Sequence, residues 1–143
     1  MAASEQLIGP ASGTVTTSTS APQDPKRGAV YVATSPLPDD PVNLCNNAVA
    51  GWRLDKGYAW WDGDYRSGLY NHYLTPNSKL YDCWQSSPPH DPAIKAARSN
   101  HPGGVNALYC DGHVGYVKDT INAATWRAVS TRAGGEVISA DQL

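Results

Sequence analysis

The chain contains no phenylalanine and one methionine, and Leu, Ile and Val together supply only 23 of its 143 residues. That excludes a core built mainly of aliphatic layers. No apolar run approaches the roughly 20 residues of a membrane-crossing helix, so no transmembrane segment is expected in this chain. Basic residues are not in excess: 11 Lys and Arg stand against 13 Asp and Glu, for a net charge of −2. A nucleic-acid partner is therefore not expected, because phosphate recognition needs clustered Lys and Arg. The three cysteines, Cys45, Cys83 and Cys110, form no C-x-x-C pair, which removes the zinc-ribbon and thioredoxin-like readings. The four histidines show no H-E-x-x-H or comparable ligand spacing. No N-x-Ser/Thr sequon is present.

What the chain does have is 5 Trp, 8 Tyr, 13 Gly and 11 Pro. Indole and phenol rings bury large apolar areas while keeping a polar handle. With so small a net charge, this composition argues against disorder of the whole chain. The expected fold is one α+β, mostly β domain, loop-rich, with an antiparallel sheet and one short C-terminal helix. Residues 1–28 read as an extended, hydroxyl-rich arm and 29–143 as a β-rich head. Thr14, Thr16, Thr17, Ser18, Thr19 and Ser20 are candidate O-glycosylation positions if the chain is exported. Ala2 to Pro10 is too short and too polar for a signal-peptide core. The chain is thus expected to be cytosolic or the C-terminal part of a longer precursor.

Gly28 to Thr34 is a β-branched and aromatic run between turn formers and predicts a strand. Ser35–Pro41 and Ser86–Pro92 read as Pro-rich loops. Between them lies a Trp- and Tyr-dense segment flanked by Cys45 and Cys83. A bridge between these two would close a loop of about 38 residues, worth ~4 kcal/mol in chain entropy, and would require an oxidising compartment. Cys110 is then the odd one, expected to be a small buried residue.

In the last third, Asp111-Gly112 separates two β-competent runs and predicts a hairpin with a two-residue type I′ turn. That turn sets Cys110 opposite His113, Tyr109 opposite Val114 and Ala107 opposite Tyr116. The expected core face then carries Val105, Ala107, Tyr109, Val114 and Tyr116. Asp119 or Thr120 is placed to cap a helix running to about Ser130, with Ile121, Thr125 and Val129 on one side.

Asp62-Gly63-Asp64 resembles the start of a calcium loop, since alternate carboxylates converge where glycine allows a tight turn. An EF-hand is excluded because Tyr73 stands where the bidentate glutamate belongs. Calcium is the one cofactor that these residues suggest. Trp60 and Trp61 beside the carboxylates suggest a sugar-stacking platform, although rings in an aliphatic-poor chain are expected mainly in the core. Cys110 opposite His113 lacks an oxyanion-hole motif, and a hairpin end makes a poor cleft, so no enzyme is expected.

Residues Asn100 to Val137 carry a more specific pattern. It reads Asn-His-Pro-Gly-Gly-Val-Asn-Ala-Leu-Tyr-Cys-Asp-Gly-His-Val, then Asp119-Thr120-Ile121, Thr125-Trp126-Arg127-Ala128 and Thr131 to Val137. His101, nine residues, then Asp111-Gly112 resembles the His-x9-Asp-Gly C-terminal signature of a large bacterial family of pseudopilin-like proteins. Trp60-Trp61-Asp62-Gly63, Tyr70-Asn71-His72, Leu74, Pro76-Asn77 and Cys83 are also similar to that family, so the resemblance spans roughly residues 45–138. It implies a globular β-rich head outside the inner membrane, akin to type II secretion and type IV pilins. The hydrophobic helix of that family is missing from this chain, and His113 replaces a small hydroxyl residue. His101, Gly103, Gly104, Asp111 and Gly112 are the signature-turn residues, with His101 expected to bond backbone or a carboxylate such as Asp111. The expected function is a structural, non-enzymatic subunit of an extracellular filament or pseudopilus, partnered by itself, with the arm as a candidate link between copies. The alternative is an exported carbohydrate- or calcium-binding module.

Overall fold

The computed structural model describes residues 3–10, 17–18, 20, 22–31, 45, 51–59, 61–64, 67–85 and 93–139. Thr14, Thr16, Thr19, Trp60 and the Ser35–Pro41 and Ser86–Pro92 loops lie outside these residues.

The architecture is mostly strands in two sheets, with one short C-terminal helix. The strands are β1 (Ala3–Ser4), β2 (Thr17–Ser18), β3 (Ala29–Tyr31), β4 (Gly51–Arg53), β5 (Asp82–Trp84), β6 (Ala93–Ile94), β7 (Gly104–Leu108) and β8 (Val114–Lys118). The helix α1 covers Ala123–Ala128. One sheet is antiparallel, in the order β1-β7-β8. The other is mixed, in the order β2-β4-β3-β5-β6, with β3 and β5 parallel. Strands β1 and β2 thus pair the N-terminal residues into both sheets.

Short strands suffice in the mixed sheet because β4, β5 and β6 bury every residue they carry. Val30 and Cys83 are aligned neighbours on β3 and β5, and both are fully buried. They pack with Cys45, Trp52, Leu74, Ile94 and Ala96 into one core, which the Cys45–Cys83 disulfide crosses. A second core lies under the antiparallel sheet: Ala97, Val105, Ala107, Val117, Ile121 and Trp126. Three of the tryptophans, Trp52, Trp84 and Trp126, are buried, as expected of rings replacing aliphatics. Trp126 is fully buried and donates its Nε1 hydrogen to the Leu74 carbonyl at 2.8 Å, tying α1 to the chain between the sheets.

The two cores are joined through Asn77. Its backbone N–H donates to the Ala97 carbonyl at 2.9 Å. Its side-chain Nδ2 donates to the Gly104 carbonyl at 3.1 Å, and its Oδ1 accepts from Ser99 N at 2.9 Å. Asn77 sits at φ +50°, a left-handed conformation that asparagine tolerates better than most residues.

Three expectations are corrected. The hairpin pairs Leu108 with Val114, Asn106 with Tyr116 and Ala107 with Gly115. This is one residue out of the two-residue-turn register, because the turn is longer. The Gly112 N–H bonds the Tyr109 carbonyl at 3.0 Å and the Tyr109 N–H bonds the His113 carbonyl at 2.9 Å, leaving Cys110-Asp111-Gly112 as a three-residue loop. Gly112 takes φ +92° as its left-handed member. A one-residue slip turns every β8 side chain over: Val117 goes in, while Val114 and Tyr116 face solvent. Secondly, Cys110 is exposed at the loop. Thirdly, the helix cap is Asn122, whose Oδ1 accepts from Ala124 N at 2.8 Å and Thr125 N at 3.3 Å. The helix starts at Ala123, too far along for Asp119 or Thr120 to cap it directly, because the chain first makes a turn in which the Ile121 N–H bonds the Lys118 carbonyl at 3.1 Å.

Candidate functional site

The signature residues lie at the two ends of the β7–β8 hairpin, with His101, Gly103 and Gly104 at the open end and Asp111 and Gly112 in the loop. Gly103 turns the chain at φ +79°. Gly104 then passes so close to β8 that a Cβ there would collide with the Val117 carbonyl oxygen and lie 2.9 Å from the Tyr116 ring. Tyr116 folds flat over this glycine and its hydroxyl donates to the Pro102 carbonyl. Gly104→Ala is therefore expected to destabilise the fold by at least about 2 kcal/mol. Urea unfolding followed by circular dichroism measures it, and an unchanged midpoint would contradict this packing.

His101 and Asp111 take different partners. His101 Nε2 lies 3.0 Å from Glu5 Oε1, whereas Asp111 Oδ1 lies 2.7 Å from His113 Nδ1. His113 stacks on Tyr109 with ring centroids 4.2 Å apart. Glu5 is a site residue that composition and motif gave no reason to select. Its carboxylate accepts from Asn106 N at 2.8 Å and Asn106 Nδ2 at 3.2 Å, pinning β1 to β7. Partial burial opposes its charge, but the bonds from Asn106 and Ser99 and the nearby His101 hold it below the ordinary carboxylate range.

The solvent side of this sheet is apolar. Leu108, Val114 and Tyr116 are 39%, 66% and 45% exposed on one face, and a shallow depression of about 210 Å³ is lined by Leu108 and Val114 together with Ala3, Ser4 and Asn106.

A cluster of buried charges is built around β5 of the mixed sheet. Asp82 is fully buried and accepts from Lys56 Nζ at 2.7 Å and Arg98 Nη2 at 2.8 Å. The Ala96 N–H adds a third bond at 3.0 Å. Arg98 also donates to the Ser78 and Leu80 carbonyls, and Lys56 to the Lys26 carbonyl. Burial would push the Asp82 carboxyl up, but Lys56 and Arg98 outweigh it and hold the group at about 2. Lys95, also buried, donates to the Ser67 carbonyl at 3.4 Å. Burial first, and then the positive charge of Lys56, lowers its ammonium to about 7. Arg98 lines a cleft of about 450 Å³ with Lys26 and Lys79, but its guanidinium is committed to Asp82 and two carbonyls and so serves the fold.

Asp62 and Asp64 sit in a tight loop. Asp62 Oδ2 accepts the Ser67 hydroxyl at 2.9 Å, and the Asp64 carbonyl accepts from Ser67 N and Leu69 N. Among the described residues no group of three or more His, Cys, Asp or Glu side chains gathers around a common point. Trp61, beside Asp62, is 72% exposed, unlike the other described tryptophans. Among the described residues no helix is long and apolar enough to cross a membrane.

No curated protein and no solved structure matches the chain. Residues 1–124 match the family described as a protein of unknown function (DUF1559), and with most of its length covered the chain belongs to that family.

Proposed function

We propose that this chain is a structural subunit of an extracellular filament or pseudopilus, assembled through contacts between its own copies. The observation that carries the reading is the exposed apolar face of the β7–β8 sheet, with Leu108, Val114 and Tyr116 side by side. Contiguous exposed apolar surface on a folded domain marks an interaction site. The Cys45–Cys83 disulfide supports an oxidising compartment, as an exported subunit requires. Strands β1 and β2 pair within their own chain, so the assembly contact is assigned to the sheet face rather than to a free arm. Negative-stain microscopy of the full chain at rising concentration should give filaments, and Val114→Asp should shorten or abolish them while leaving the melting curve in place. Particles that stay monomeric at every concentration would sink this reading.

A second reading rests on Trp61, whose exposed indole stands next to Asp62 and Asp64. It supports an exported carbohydrate- or calcium-binding module. Calorimetry with calcium chloride, and tryptophan fluorescence with soluble oligosaccharides, compared with Trp61→Ala and Asp62→Ala, separates the two ligands. Absence of heat and of a fluorescence change removes this reading.

A further inference from the structure

The hairpin's hydrogen-bond parity decides which backbone groups are free. Tyr109 N–H reaches the His113 carbonyl and Asp119 N–H reaches the Gly103 carbonyl. The bonded pairs in an antiparallel ladder recur every second residue, so Ala107/Gly115 and Val105/Val117 are bonded pairs as well. Val114, Tyr116 and Lys118 therefore direct their N–H and C=O groups away from β7; the Lys118 carbonyl accepts the Ile121 N–H at 3.1 Å, so the open groups are both those of Val114 and Tyr116 and the Lys118 N–H. Among the described residues no strand pairs with that side of β8. An open row of donors and acceptors beside apolar side chains is a template for another strand.

The β8 sequence is self-complementary when laid antiparallel on itself about Tyr116. Tyr116 then faces Tyr116 of the second copy, and Val114 faces Lys118, so all three outward residues fall in bonded pairs. At each end His113, whose Nδ1 is engaged by Asp111 of its own chain, falls opposite Asp119. The lysine stem covers the valine. Shifting the axis to Lys118 opposes two ammonium groups, and shifting it to Val114 runs the strand off into the hairpin loop. Only the Tyr116 register uses the whole edge without a like-charge clash.

We infer that β8 pairs antiparallel with β8 of a second copy about Tyr116, extending the three-stranded sheet across a two-fold axis. The occupant rests on the self-assembly reading above. Such an interface closes into a pair. The pair is then the building block, and growth proceeds through the apolar sheet face. The sheet edge holds the two copies together, and the face stacks one pair on the next.

The test uses the full chain with Cys110→Ser to remove the exposed thiol. Tyr116→Cys on that background places two thiols across the axis, with Cα atoms about 5.5 Å apart. A short bifunctional thiol cross-linker should convert most of the protein to covalent dimer, whereas Thr131→Cys, an exposed control outside the sheet, should yield little. Val114→Pro removes an outward N–H without touching the β7 ladder. It should weaken dimerisation at least tenfold by sedimentation equilibrium at an unchanged melting temperature. Cross-linking of Tyr116→Cys no greater than that of Thr131→Cys, or Val114→Pro dimerising like the parent, overturns the inference. Dimers without filaments support the edge pairing and count only against the filament reading. Filaments that persist in Val114→Pro with no cross-link at residue 116 overturn the edge pairing alone.

Discussion

Asp82→Ala is expected to unfold the protein, or to cost about 3–5 kcal/mol where folding survives. Among the described residues the carboxylate is the only anion in contact with both Lys56 and Arg98, and all three side chains are at most 1% exposed. Removing it strands two cations in a medium that solvates them poorly, and also frees the Ala96 N–H. Asp82→Asn keeps the shape but not the charge, so it should be destabilising by a similar amount. A size effect alone would predict almost none. Urea unfolding of both variants, monitored by tryptophan fluorescence, decides between them. If Asp82→Asn lies within about 1 kcal/mol of the parent, charge compensation is not what holds this core.

Lys95→Met should do the opposite. The ammonium is buried and its affinity for the proton falls to about 7 in the fold, against 10.5 for an ordinary lysine. Between those two values the unfolded chain holds a proton that the folded chain has released. Stability therefore rises with pH across that window. Below about pH 7 Lys95 is charged in both states, and its full desolvation cost is present. The slope is bounded by about 1.36 kcal/mol per pH unit per proton, so roughly 2 kcal/mol should be gained between pH 7 and 9. Lys95→Met keeps the stem, removes the charge, and should raise stability at pH 7 by about 1–4 kcal/mol while flattening the rise. At acid pH other groups take over, His72 and Asp82 with the largest shifts. Burial lowers His72, packed 4.2 Å from the Trp126 ring, to about 4, so stability falls as the pH drops from 6.5 towards 4. Asp82 adds a further loss as the pH falls from its ordinary value towards 2. Guanidinium unfolding at half-unit pH steps measures the whole profile. A parent curve flat from pH 7 to 9 would show that Lys95 is not held uncharged.

The hairpin shows what local sequence determines. Asp111-Gly112 marks a reversal because glycine reaches positive φ without strain, and the reversal is there. Its register was not legible. Asp-Gly suits a two-residue turn and also the last two positions of a three-residue loop, and the choice turns Val117 inward instead of Val114 and Tyr116. Both strand faces carry apolar residues, so periodicity gave no vote. The bridge between Cys45 and Cys83 was visible from the way the two cysteines flank the ring-rich segment. The charge cluster was not visible, since Lys56, Asp82 and Arg98 meet across separations of 26 and 16 residues. One signal was present: Ala93-Ile94-Lys95-Ala96-Ala97-Arg98 is small and apolar around its two cations, and the whole stretch is buried. Glu5 gave no signal, because its partner Asn106 lies on the far side of the sequence.

The most direct test of assembly through β8 is hydrogen exchange resolved at single amides. The amides of Ala107, Gly115 and Val117 should be protected in dilute and concentrated samples alike, because they bond within the hairpin. Those of Val114, Tyr116 and Lys118 should exchange freely when dilute and become at least tenfold slower on assembly. If these three amides exchange equally fast in the assembled material, the edge of β8 is not where copies of this chain meet.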